Sequence, residues 1–240
     1  MVINKTLEYI AKKYEVDLNA QSPIEIRKTS RKLMLETFRE LGFKVGVEVG
    51  VAEGYFAEDM LKAIPGLKLY GVDIWQTYGS YNEYQDREEK CRLEAIERTK
   101  GYDCTFIRKY SMDAVKDFED GSLDFVYIDA AHDFLHVAED VCEWSKKVKI
   151  GGVVWGHDFK RRHQKWIVDV PDVIMPYSYC KRVQPVFVLG EPSNHNDGMY
   201  KEGSRSWMFV RQHDDLVNYS WDLYKKVQHF GPQNEVELKI

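Results

Sequence analysis

The residues of this chain best suited to chemistry stand at the ends of apolar, strand-like runs. Glu48, Gly50 and Gly54 close the run "VGVEVGVAEGYF", residues 45–56. Glycines at such a turn let backbone N–H groups approach a ligand. A pyrophosphate turn is spaced Gly-x-Gly-x-x-Gly, whereas this one is Glu-x-Gly-x-x-x-Gly. A carboxylate two residues before the first glycine is a poor neighbour for pyrophosphate. It suits a cation such as an ammonium or a sulfonium. The plain alternative is a tight strand-to-helix turn with no ligand.

Asp73 ends the second run, where a carboxylate can accept two hydrogen bonds from ribose hydroxyls or simply cap a turn. Ser111 follows the third run, Asp129 and His132 the fourth, His157 and Asp158 the fifth. Ligands of open α/β sheets bind outside the carboxyl ends of the strands, so these residues are expected around one crevice. His132 titrates in the range useful to a general base, and its place beside a helix start would aim it into that crevice. A structural hydrogen bond is the alternative, and His136, one turn on, is a weaker candidate. His157-Asp158 also reads as a helix cap with a hydrogen-bonded loop histidine. The basic cluster from Lys160 to Lys165 could hold an anionic group or form a solvated loop. Trp75, Tyr78, Tyr81 and Tyr84 could stack on a base, wall a sugar site, or pack.

These residues need elements to hold them. Ser22-Pro23-Ile24-Glu25 has the form of a capping box with proline at the first helical position, and the first 42 residues read as helical. Leu33, Met34, Thr37, Phe38 and Leu41 keep a helical stripe that Gly42 stops. Strands are expected over 45–51, 67–75, 104–109, 123–130 and 152–156. Helical patterns separate them, which implies parallel βαβ units with right-handed crossovers. Two later strand-like runs, 183–189 and 206–211, have no helix between them and read as an antiparallel pair. A last helix is expected over 214–230. The fold class is therefore α/β. It is a doubly wound, mostly parallel, seven-stranded Rossmann-like sheet with an antiparallel strand near one edge and an N-terminal helical extension.

Hydrophobic content of 44% and charged content of 30% are globular values, and a net charge of −5 argues against nucleic acid as a partner. Cys91, Cys104, Cys142 and Cys180 form no Cys-x-x-Cys pair and read as reduced, mostly buried thiols. The first residues carry charge throughout and have no apolar core of a signal peptide. No run approaches the roughly 18 apolar residues of a membrane span. A soluble, cytoplasmic protein is expected, with no membrane partner.

Taken together, Glu48-x-Gly50-x-x-x-Gly54, Asp73 and the later "SLDFVYIDAAH…GGVVWGHD" resemble the class I S-adenosylmethionine-dependent methyltransferases. The likeness covers residues 44–211. Within it, residues 124–158 look like the bacterial small-molecule O-methyltransferases, the catechol-like and the macrolide- and sugar-modifying enzymes. The resemblance implies S-adenosyl-L-methionine as cofactor. Glu48 would lie near its ammonium, the Gly50–Gly54 loop along its methionine part, Asp73 at the ribose, and Ser111 and Met112 beside the adenine. Asp129 would stand beside the methyl donor. In metal-dependent members Asp129 and the position of His157-Asp158 ligate a divalent cation such as Mg2+. Imidazole is a poor magnesium ligand, so His157 departs from that pattern. His132 falls where catechol-type enzymes place the group that takes the substrate proton.

The resemblance divides the chain into residues 1–43 as a substrate cap, 44–212 as the cofactor-binding domain, and 213–240 as a C-terminal helix and tail. The expected activity is O-methylation of a small polar acceptor, anionic or sugar-containing, with a homodimer as the common default. A nicotinamide-dependent oxidoreductase and a non-catalytic cofactor-binding protein on the same scaffold stay open.

Overall fold

Strands and helices alternate through the middle of a computed structural model of the chain, which describes residues 4–76, 87–160, 162–163, 167–191 and 204–213. The central strands are β2 (Val45–Val49), β3 (Lys68–Asp73), β4 (Cys104–Arg108), β5 (Leu123–Ile128) and β6 (Val148–Gly156). Between them lie α3 (Tyr55–Ala63), α4 (Glu88–Arg98), α5 (Ser111–Ala114) with a 3-10 turn after it, and α6 (Phe134–Lys147). Before them stand α1 (Lys5–Tyr14), β1 (Ile24–Ile26) and α2 (Arg31–Glu40). After them come the short pair β7 (Arg162–His163) and β8 (Ile167–Val168), α7 (Val170–Lys181), β9 (Phe187–Leu189) and β10 (Ser206–Val210).

The main sheet has eight strands in the order β1-β9-β10-β6-β5-β2-β3-β4. All pairs within β4-β3-β2-β5-β6 are parallel, and β10 runs antiparallel to both β6 and β9. The chain winds outward from β2 through β3 and β4, then returns to place β5 on the other side of β2. The β2–β5 boundary is therefore the switch point of the sheet.

Both faces are covered. Val47, Val49, Val126 and Ile128 pack with α6 and α7 residues on one face. Phe125, Tyr127 and Trp155 pack with Phe38 of α2 and Phe56 of α3 on the other. Every residue of β5 is buried, the continuous apolar run expected of a central parallel strand. Side chains alternate along β2, so Glu48, between Val47 and Val49, points to the face of α2 and α3.

The N-terminal segment corrects one expectation. Ser22-Pro23-Ile24-Glu25 does not start a helix. Ile24 and Ile26 are buried, and β1 pairs in parallel with β9. Ile24 N donates to the Val186 carbonyl at 2.8 Å, and Ser22 Oγ accepts from Val186 N at 2.9 Å. The strand pairing uses the groups that a helix cap would need. The true cap is Ser30, whose Oγ accepts from Leu33 N at 3.3 Å. An eighth strand thus joins the expected seven. Helix α7 fills a stretch that the sequence reading leaves without an element. The four cysteines are unpaired, with Cys91 buried, Cys180 exposed and the other two half-buried. No helix among the described residues is long and apolar enough to cross a membrane. The expected final helix at 214–230 lies outside the described residues.

Candidate active site

The loop after β2 is built around one carboxylate. Asp73 Oδ2 accepts from Val51 N and Ala52 N, each at 2.9 Å, and Oδ1 accepts from Trp75 N at 2.7 Å. This fixes a turn in which Gly50 and Ala52 both have positive φ, 89° and 50°. Gly50 has no room for a side chain, because a Cβ there would stand 2.2 Å from the Asp129 carbonyl oxygen. Gly54 serves a different purpose. A Cβ on it would meet Ala95 Cα at 2.8 Å, so it lets the start of α3 pack against α4. Trp75 is fully buried with Cys91 and Ala95, and its Nε1 donates to the Ala52 carbonyl at 2.9 Å. It packs behind the loop and does not face a ligand.

Glu48 is the unusual group. It is 2% exposed, and its Oε2 has no hydrogen-bond partner. Burial, and next the charge of Asp129, push its carboxyl well above the usual carboxylate range. A buried, unsatisfied acidic oxygen costs free energy unless a partner arrives. Glu48 lies in the wall of a cavity of about 600 Å³.

At one end of that cavity four titratable side chains converge. His132 Nε2 lies 3.1 Å from Asp158 Oδ2 and 3.5 Å from Asp129 Oδ1, without hydrogen-bond geometry to either. His157 Nδ1 is 3.2 Å from Asp158 Oδ2 and 3.9 Å from Asp129 Oδ1. Lys160 Nζ approaches Asp158 Oδ1 at 2.7 Å. Burial lowers the His132 pKa, but the two carboxylates outweigh it and raise it to about 10. Asp158 is the converse case. Burial works against its charge, yet the two histidines and Lys160 hold it well below the ordinary range. Helix α7 steadies this end, since Asp169 N donates to the His132 carbonyl at 2.9 Å and Asp169 Oδ2 accepts from Phe134 N at 3.1 Å.

Asp129, His132 and Asp158 each bring one ligand atom within 4.8 Å of the others. Asp129 and Asp158 would offer carboxylate oxygens to a divalent cation, with the His132 imidazole beside them.

Near α5, Ser111 Oγ donates to Asp140 and accepts from Trp144 Nε1 at 2.7 Å. Burial raises the Asp140 carboxyl to about 7. Met112, Asp140 and His136 line the cavity here, with His136 Nδ1 2.6 Å from Asp133 Oδ2.

One cavity thus joins Glu48, Gly50, Asp73, Ser111, Met112, Asp129, His132, His157 and Asp158. Gly54 stands behind its wall. Lys160 is engaged with Asp158. Tyr78, Tyr81, Tyr84, Arg161, Gln164 and Lys165 lie outside the described residues, as do the side chains of Arg162 and His163. Arg31 and Asp140 also line the cavity, although neither belongs to a motif at a strand end. Arg31 had a signal, for it sits three and four residues before buried Met34 and Leu35, on the apolar stripe of α2.

A doubly wound sheet with its cavity at the switch point defines the general class. Residues 47–159 match the family model described as a methyltransferase domain. No curated protein matches the sequence. An rRNA methylase from Streptococcus thermophilus is 12% identical with a TM-score of 0.51, over 75% of this chain and 96% of that one. An O-methyltransferase family protein from Burkholderia thailandensis is 14% identical with a TM-score of 0.50, over 75% of this chain and 55% of that one. A spermidine synthase from Thermotoga maritima is 15% identical with a TM-score of 0.50, over 79% of this chain and 60% of that one. At such identities the likeness establishes the shared Rossmann-like fold. The domain match supports a methyltransferase over residues 47–159.

Proposed function

We propose that the protein transfers a methyl group from S-adenosylmethionine to a hydroxyl of a small polar acceptor. The observation that carries this reading is Glu48, a buried carboxylate with an unpartnered oxygen in the wall of a cavity at the switch point. An ammonium or sulfonium satisfies that oxygen, and a pyrophosphate does not. Glu48 would hold the ammonium of the cofactor, and the Gly50–Ala52 backbone would run along its methionine part. Asp73, which organises that loop, would border the ribose, and Ser111 and Met112 the adenine. The cofactor supplies an electrophilic methyl group.

Displacement from a sulfonium is in-line, so the acceptor oxygen must be aligned opposite the sulfur. Asp129, His132 and Asp158 stand at the end of the cavity where it would be held. An alcohol needs to lose its proton to react well, and His132 is placed to take it. In the cation-free cluster the two carboxylates keep His132 charged up to about pH 10. A divalent cation held by Asp129 and Asp158 would replace that positive charge and leave the imidazole neutral. The acceptor would be anionic or sugar-containing, and the N-terminal segment, through Arg31 of α2, lines the cavity.

The test is calorimetric titration of the full chain with S-adenosylhomocysteine and, separately, with NAD. Release of S-adenosylhomocysteine is then followed with a panel of sugars and catechol. Cofactor binding with turnover is expected. Binding of NAD alone would point to an oxidoreductase, and cofactor binding without turnover of any acceptor to a binding protein.

A further inference from the structure

Arg31 is the first residue of α2, and a cation there opposes the helix macrodipole. The first turn of α2 contains no acidic residue to offset it. Its compensation lies across the cavity wall. Arg31 Nη1 donates to Tyr127 Oη at 2.8 Å and lies 3.4 Å from Asp129 Oδ2. The guanidinium stands 4.8 Å over the Phe56 ring, which itself packs 4.5 Å from Tyr127. Packing fixes the helix that presents it, for Met34, Leu35 and Phe38 are buried and Phe38 meets Trp155 edge-on at 4.7 Å. The two oxygens of Asp129 are therefore divided. Oδ2 faces Arg31, and Oδ1 faces His132 at 3.5 Å.

We propose that Arg31 is a positioning residue for methyl transfer, holding Asp129 by one oxygen so that the other is presented to His132 and the acceptor. The inference rests on the methyl-transfer reading above. It makes the N-terminal segment part of the reacting centre as well as part of the wall. A guanidinium is suited to this because its planar donors fix the direction of a carboxylate, which the point charge of lysine does only in part.

The experiment compares wild type, Arg31→Lys and Arg31→Met as full-length chains. Turnover is read by S-adenosylhomocysteine release, and cofactor affinity by calorimetry with S-adenosylhomocysteine. Arg31→Met is expected to lose roughly tenfold to a hundredfold in kcat, with the KM for S-adenosylmethionine and the Kd for S-adenosylhomocysteine within about threefold. Arg31→Lys is expected to recover part of the loss. Unchanged kcat in Arg31→Met, a matching loss of cofactor affinity, or no recovery by lysine would each overturn the proposal. Should Arg31→Met fail to fold, Arg31→Gln takes its place. If wild type turns over no acceptor, the methyl-transfer reading fails first. Crystal structures then decide for Arg31 alone: Asp129 should swing away from His132 in the variant, and an unmoved Asp129 contradicts the inference.

Discussion

Gly50 and Asp129 follow different strands, β2 and β5, yet touch so closely that a Cβ on Gly50 would lie 2.2 Å from the Asp129 carbonyl oxygen. The contact spans the switch point and joins the loop after β2 to the end of the cavity that holds His132 and Asp158. Gly50 also has φ of 89°, a region that L side chains avoid. Gly50→Ala is expected to cost roughly 3 kcal/mol or more, because the obstruction is backbone that cannot give way cheaply. Urea denaturation measures this. A midpoint equal to wild type would show that the two strand ends can separate freely.

Asp73 has three backbone N–H groups on its carboxylate. Asp73→Asn keeps the shape but turns an NH2 group toward at least one of those donors. The expected cost is about 1–3 kcal/mol, with weaker S-adenosylhomocysteine binding as the loop loosens. Denaturation and calorimetry on one variant separate the two effects. Undiminished stability and affinity would remove Asp73 as the organiser of the loop.

Glu48 carries a pH prediction. Its folded pKa is raised well above the ordinary value of 4.5. The stability tied to its proton is therefore fully present below pH 4.5 and is lost as pH rises through the folded value. Glu48→Gln keeps a neutral side chain at every pH, so its stability relative to wild type should grow with pH. Cofactor affinity should move the other way, falling at least roughly tenfold, as expected of a lost charge-assisted contact. A Glu48→Gln variant that binds S-adenosylhomocysteine like wild type contradicts the proposed role.

The His132 cluster predicts a window for the cation-free protein. His132 rises from 6.5 to about 10, so its contribution is complete below pH 6.5 and is lost toward pH 10. Asp158 is held well below its ordinary 3.8, so its contribution is present above that value and is lost as pH falls. The coupled cluster stabilises most between about pH 4 and 6.5. Urea titrations across that range should show the maximum in wild type, and His132→Gln should flatten the alkaline side. An unchanged pH profile would mean that the imidazole is not held between the carboxylates. For turnover, His132→Ala is expected to lose 10²–10⁴-fold, the usual contribution of a general base. Activity that survives in this variant would assign the proton elsewhere.

Chelation bears on the same cluster. With a divalent cation at Asp129 and Asp158, a chelator should abolish turnover and Mn2+ should restore it. Asp158→Asn should lose Mn2+ binding by calorimetry. Full activity after chelation would dismiss the two carboxylates as ligands and, since the cation-free His132 is charged up to about pH 10, would assign the proton transfer elsewhere.

Much of this site was legible before any coordinates. Parallel strands bury both faces, so the central strands are largely apolar and polar residues gather at their ends. That contrast marks Asp73, Asp129 and Asp158, and Glu48 stands out as a carboxylate inside the valine-rich β2. The start of the chain was harder. Ser22-Pro23-Ile24-Glu25 offers the same groups to a helix cap and to an edge strand, and only the distant β9 decides between them. Gly54 shares a motif with Gly50, yet its space is taken by Ala95 of α4 and not by the cavity. Trp75, whose type allows stacking or packing, packs. Helix α7 carries Pro171 and Pro176, with no clean apolar stripe, so periodicity does not announce it. Arg31 belongs to the cavity only because α2 docks against Trp155, a tertiary fact.

The central claim is that the cavity takes a methyl-donating cofactor through Glu48. Calorimetry of the full chain with S-adenosylhomocysteine, repeated at pH 6 and pH 8, tests it most directly. One-to-one binding is predicted, tighter at the higher pH, with Glu48 losing its proton as the ammonium arrives. No binding of S-adenosylhomocysteine, alongside saturable binding of NAD, would contradict it.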